Sequence, residues 1–120
     1  MTIALKRVYE AADEADGCRV LVDRLWPRGV SKAKARLDLW LKEIGPSTEL
    51  RKWFGHDPAR FEEFAGRYRK ELDANGEAVD RLAALCRERG KVTLLYGAKD
   101  PERNQAVVLR GYLEKRLGLA

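Results

Sequence analysis

The run Val20-Leu21-Val22, closed by Asp23, constrains this chain more than any other segment. A short continuous apolar run, without polar alternation, suits a strand buried on both faces. That is the mark of a parallel sheet with helices packed on it. The run stops at an acid and passes at once into Arg24-Leu25-Trp26-Pro27-Arg28-Gly29, a turn holding two arginines and a tryptophan. In open α/β sheets, ligands bind just outside the carboxyl ends of strands. The same ten residues therefore predict a fold class and the place to look for a site.

The rest of the chain is consistent with that frame. Ile3 to Val8 alternates weakly and reads as a first strand, Arg19 to Asp23 as a second, and Val92 to Tyr96 as another buried strand. Leu37-Asp38-Leu39-Trp40-Leu41 reads either as a strand or as the end of a short basic helical turn that Ser31 caps. Ser47 is placed to cap a helix reaching Phe54. Asp57-Pro58 supplies a cap and a first-turn proline for a helix whose inward face is Phe61, Phe64, Ala65, Tyr68 and Leu72. Asn75-Gly76 breaks it, and a further helix runs from Glu77 to Arg89, stopped by Gly90. Asp100-Pro101 repeats the cap-and-proline device and predicts a last helix from there to about Leu117. No linker divides the 120 residues. The expectation is one α/β domain over residues 1–120, a single compact layered unit with a small, mainly parallel sheet flanked by helices.

Charge narrows the class of partner. The chain carries 24 Lys and Arg against 19 Asp and Glu, a net charge of +5. Between Asp23 and Asp38 every charge is positive: Arg24, Arg28, Lys32, Lys34 and Arg36. Such a balance favours anions, without separating a nucleic acid from a small phosphorylated or carboxylated molecule. The two cysteines, Cys18 and Cys86, stand in no metal or redox spacing, which suits a reducing compartment. Charge follows the start too soon for a signal peptide, and no apolar run approaches a membrane span, so a cytoplasmic protein is expected.

If Arg19–Asp23 and Val92–Tyr96 are parallel neighbours, their carboxyl ends gather Asp23, Arg24, Trp26 and Arg28 from one loop. The other loop contributes Tyr96, Lys99, Asp100 and Asn104. Arginine forks bind two oxygens of a carboxylate or phosphate at once, and a helix N-terminus nearby adds backbone donors. A third concentration, Ser47 to Asp57, adds Ser47, Arg51 and His56, the single histidine. Asp23 and His56 are the candidates for moving a proton. Each residue also has a structural reading: Asp23 as ion-pair partner or turn cap, Trp26 as a packing corner before Pro27, Lys99 and Asp100 as turn and cap. There is no glycine-rich phosphate loop, HExxH, GxSxG or zinc spacing, and no metal or cofactor is expected.

Lys6-Arg7, Gly17 through Gly29, Trp40-Leu41-Lys42-Glu43, Pro46-Ser47, Leu50 through Asp57, Leu94 through Asp100 and Asn104 through Leu109 together resemble the DUF488 family, in particular its short YeaO-like members. The resemblance spans nearly the whole chain. It implies a compact bacterial-type α/β domain and supplies a motif map but no reaction. In similar sequences a histidine often stands near the start of the last helix; Arg103, Asn104 and Gln105 occupy that stretch here. That departure weakens any mechanism needing a base there.

The leading functional expectation is a basic pocket for a small anionic ligand, phosphorylated or nucleotide-like, with hydrolase or transferase chemistry as one outcome. Arg24, Arg28, Arg51 and Lys99 would hold the anion. Second comes a nucleic-acid accessory protein using the 24–36 stretch on phosphates. Third is a non-enzymatic interaction domain presenting its tryptophans. No membrane partner is expected, and the oligomeric state is open.

Overall fold

The computed structural model describes residues 1–119. Four strands, β1 (Thr2–Arg7), β2 (Cys18–Leu21), β3 (Leu39–Trp40) and β4 (Lys91–Tyr96), form one all-parallel sheet in the order β1-β4-β2-β3. The two strands expected to be neighbours are neighbours: Val20 lies opposite Leu94 and Cys18 opposite Val92. Beyond the end of β2, the Val22 N–H still donates to the Leu95 carbonyl. Val20, Leu21 and Val22 are all fully buried, as their unbroken apolar run requires.

Five helices join the strands among the described residues. They are α1 (Lys32–Ala35), α2 (Thr48–Phe54), α3 (Phe61–Asp73), α4 (Gly76–Arg89) and α5 (Gln105–Arg116). Ser31 and Ser47 cap α1 and α2 by accepting from the Lys34 and Leu50 N–H groups. Asp57-Pro58 opens a 3₁₀ turn, Pro58–Arg60, that runs directly into α3. The ambiguous Leu37–Leu41 segment contains the edge strand β3, paired with β2.

The last helix corrects the sequence reading. It begins at Gln105, not after Asp100-Pro101. Asp100 Oδ1 accepts from the N–H groups of Glu102 and Arg103, which closes a turn instead. Asn104 is the cap: its Oδ1 accepts from Val107 N–H, and its amide donates to the Asp100 carbonyl. Two caps follow each other in sequence, and the second starts the helix.

The sheet divides the interior. One face carries Cys18, Val20, Val22, Val92, Leu94 and Tyr96 into the main core with the helices. The other carries Leu21 and Leu95, which meet Val8 under a thinner cover that includes Trp26 and Trp40. Those indoles meet edge-on at 5.3 Å. Their N–H groups donate to the carbonyls of Val30 and Asp23, respectively. The same thin face also holds Asp16 and Arg19, both buried. Cys18 and Cys86 are buried free thiols.

Candidate functional site

Asp23, Gly97 and Gln105 meet where β2, β4 and the start of α5 converge. The Gly97 N–H donates to Asp23 Oδ2 at 2.8 Å, and Gln105 Nε2 donates to Asp23 Oδ1. Gly97 eases the close approach, because a Cβ there would stand 3.0 Å from that carboxylate oxygen and push it aside. Burial pushes the Asp23 carboxyl up from 3.8 to about 6, against the downward pull of the Gly97 N–H, the Arg51 charge and the Gln105 amide.

These groups line a cleft of about 190 Å³. Its apolar wall includes Leu25, Pro46, Phe54, Phe64 and Ala98. Phe54 and Phe64 stack with ring centroids 4.3 Å apart, which fixes α2 against α3. Arg24, Arg51 and His56 supply the basic side.

The two arginines differ. Arg24 Nε donates to the Pro46 carbonyl at 2.9 Å and Nη2 to the Gly45 carbonyl at 2.8 Å, so this guanidinium clamps the loop before α2. Gly45 permits the approach, since a Cβ there would lie 2.9 Å from the Arg24 backbone nitrogen. Arg51, half-buried on α2, lines the cleft and closes no ion pair or side-chain hydrogen bond among the described residues. His56 follows α2 with φ 57°, directly after Gly55 at φ 53°. Two left-handed residues in succession turn the chain sharply. They bring the exposed imidazole to the rim, 6.0 Å from the Phe54 ring.

Of the residues singled out from the sequence, Asp23, Arg24, Arg51 and His56 line the cleft together. The others serve elsewhere. Trp26 covers the opposite face of the sheet. Arg28 is exposed, and its carbonyl accepts from the Tyr9 hydroxyl. Ser47 caps α2 and donates from Oγ to Glu71 at 2.6 Å, in a separate groove behind Arg24. Tyr96 is buried in the main core, and burial raises its phenol. Lys99 points to solvent, Asp100 caps its turn, and Asn104 is fully buried as the α5 cap. Gln105 and Gly97 were missed as site residues. Placing the helix start four residues early hid Gln105 in what looked like the middle of a second turn. Among the described residues, no three His, Cys, Asp or Glu side chains gather as a metal site requires.

The family model DUF488-N3i, described as the inactive DUF488-N3 subclade, matches residues 2–119. The chain belongs to this family. An uncharacterised protein of Escherichia coli (strain K12), YeaO, is 46% identical over 113 residues, covering 94% of this chain and 97% of that protein. The uncharacterised protein MT3158 of Mycobacterium tuberculosis (strain CDC 1551 / Oshkosh) is 43% identical over 114 residues, 95% of each chain. No solved structure matches the chain. No described helix is long and apolar enough to cross a membrane.

Proposed function

We propose that this DUF488-N3i domain is a receptor for a small anionic ligand, held at the carboxyl edge of β2 and β4 without being converted. The observation that carries the reading is Arg51. Its guanidinium lines the cleft beside Asp23 and is committed to no acceptor of the chain among the described residues, whereas Arg24 is tied to two carbonyls. A planar fork lining a cleft with apolar walls suits a carboxylate or phosphate. The small volume of the cleft favours a metabolite over a polymer.

Binding without turnover is supported by the family's description as an inactive subclade. It is also supported by the two candidates for proton transfer. Asp23 has both carboxylate oxygens held by donors of the chain, and His56 stands at the exposed rim. The interaction-domain alternative is weakened by the tryptophans. Trp26 and Trp40 pack on each other, and the Arg60 and Arg67 guanidinium groups lie over the Trp53 ring.

A thermal-shift panel of inorganic phosphate, phosphorylated metabolites and small carboxylates tests the proposal. A bound probe at 100-fold excess over its Kd adds about 2.7 kcal/mol of stability. The expected result is a raised Tm that Arg51→Ala abolishes, with the probe recovered unchanged. No shift from any anion would overturn the reading, and so would a shift that survives Arg51→Ala. A chemically altered probe would restore the hydrolase or transferase alternative.

A further inference from the structure

The cleft holds a second feature that an anion alone does not answer. Asp23 lines it as a half-buried carboxylate, and no cation of the chain closes an ion pair with it among the described residues. Its two hydrogen-bond donors, the Gly97 backbone and the Gln105 amide, are both neutral. A carboxylate drawn partly out of water gains by pairing with a cation. An ionised carboxylate can accept about four hydrogen bonds, so about two positions stay open. The charged and titratable groups around it are Arg51 on α2, Arg24 on the adjoining loop and His56 at the rim, with Tyr68 on α3 behind them and Arg7 and Tyr9 against the Gly97 loop. Arg7 is engaged with the Gly97 and Ala98 carbonyls. Arg24 is engaged with carbonyls, and the Tyr68 hydroxyl donates to the Ile44 carbonyl. Only Arg51 pulls the Asp23 carboxyl down by its charge, and it does so without reaching it.

An anion entering so small a cleft to reach Arg51 would also approach the Asp23 charge. Like charges at short range in an enclosed site repel strongly. A ligand that places a cationic N–H donor on Asp23 turns the repulsion into a charge-assisted hydrogen bond. We propose that the ligand of this cleft is a small zwitterion, its anionic group on Arg51 and its ammonium or amidinium group on Asp23, with Asp23 as the specificity-determining contact. The proposal rests on the anion-receptor reading above and narrows its ligand class.

Matched probes test it on the wild-type protein by calorimetric titration. The panel comprises ω-amino carboxylates from glycine to 6-aminohexanoate and phosphoethanolamine. Their amine-free counterparts are the simple carboxylates and inorganic phosphate. The expected result is at least about tenfold tighter binding of the best amine-bearing probe than of its counterpart, the scale of one hydrogen bond between charged groups. Asp23→Asn should erase that preference and keep the weaker binding of the simple anion, whereas Arg51→Ala should weaken both. Should Asp23→Asn fold poorly, a carboxyl ¹³C titration of Asp23 in the wild type replaces it, its midpoint falling with amine-bearing probes and rising with simple anions; a midpoint that rises with both would overturn the zwitterion. Simple anions that bind as tightly as their amine-bearing partners would overturn the zwitterion and leave the receptor reading standing. A preference that survives Asp23→Asn would do the same. Absence of binding by every probe would overturn both.

Discussion

Two acids bracket β2, and the chain treats them in opposite ways. Asp16 stands before the strand, against the thinner face of the sheet. Lys6 Nζ donates to its Oδ1 at 3.1 Å, while Arg19 Nη1 and the Asp13 N–H donate to its Oδ2. Burial pushes its carboxyl up, but the Asp13 backbone and the Lys6 and Arg19 side chains outweigh it, and the net result lies below 3.8. Asp23 stands after the strand and receives only neutral donors. Burial wins there, and its carboxyl rises to about 6. One carboxylate is neutralised from within and serves the fold. The other keeps an unanswered charge at the edge where parallel sheets bind ligands. The difference identifies a site: the buried Asp16 has its cations supplied and is architecture, whereas the half-buried Asp23 has none and is waiting for one.

The largest expected effect comes from breaking the neutralised end. Arg19 is 4% exposed, and its guanidinium also donates to the Ala35 and Arg36 carbonyls. Arg19→Leu leaves Asp16 with Lys6 as its one paired cation among the described residues, beside the Asp13 N–H, and should cost about 3–5 kcal/mol in urea unfolding at neutral pH. A cost under about 1 kcal/mol would mean that the network is not what secures this face of the sheet.

The effect at the other end is smaller and of opposite sign. Unfolded, Asp23 titrates near 3.9. Folded, it titrates near 6. Between those values the folded state holds the extra proton, so wild-type stability falls as pH rises through that window and levels off above it. The rise to about 6 corresponds to roughly 3 kcal/mol. Asp23→Asn removes that cost while keeping one carbonyl acceptor, so it should stabilise the protein by about 1–2 kcal/mol at pH 7.5 and give little or no gain at pH 4. Asp16 follows the other sign. Its contribution is complete above 3.8 and is lost as pH falls through its lower folded value. Loss of stability in Asp23→Asn at pH 7.5 would place both acids in one structural class.

Finer changes sharpen the contrast. Arg51 lowers the Asp23 carboxyl through its charge, so Arg51→Ala should move the Asp23 midpoint further above 6 in a carboxyl ¹³C titration. An unmoved midpoint would separate the two groups. Arg28→Ala should change stability by less than about 0.5 kcal/mol and leave probe binding intact, because the side chain is exposed and lies outside the cleft.

Much of the fold was legible because its signals are local. The unbroken Val20–Val22 run announced a doubly covered strand, and Ser31, Ser47 and Asp57-Pro58 marked element starts through their own hydrogen bonds. The last helix was misread because Asp100 and Asn104 are both competent caps, and only packing decides that Asn104 is the buried one. The site was legible to the level of the loop. Strand ends located Asp23, and the helix after Ser47 supplied Arg51. Side-chain direction was not legible. Arg24 and Arg28 look alike in sequence, yet one is drawn to the carbonyls of Gly45 and Pro46 and the other faces water. Trp26 is carried to the far face by a turn whose exit direction no local pattern encodes.

Just beyond β2 stands an acid whose charge the chain leaves unanswered among the described residues. One carboxyl ¹³C titration of the free protein, read at Asp16 and Asp23 together, tests it most directly. The expected midpoints are near 6 for Asp23 and below 3.8 for Asp16. An Asp23 midpoint at or below 3.8 would show instead that a cation of the chain already answers it, and that Asp23 belongs with Asp16 to the architecture.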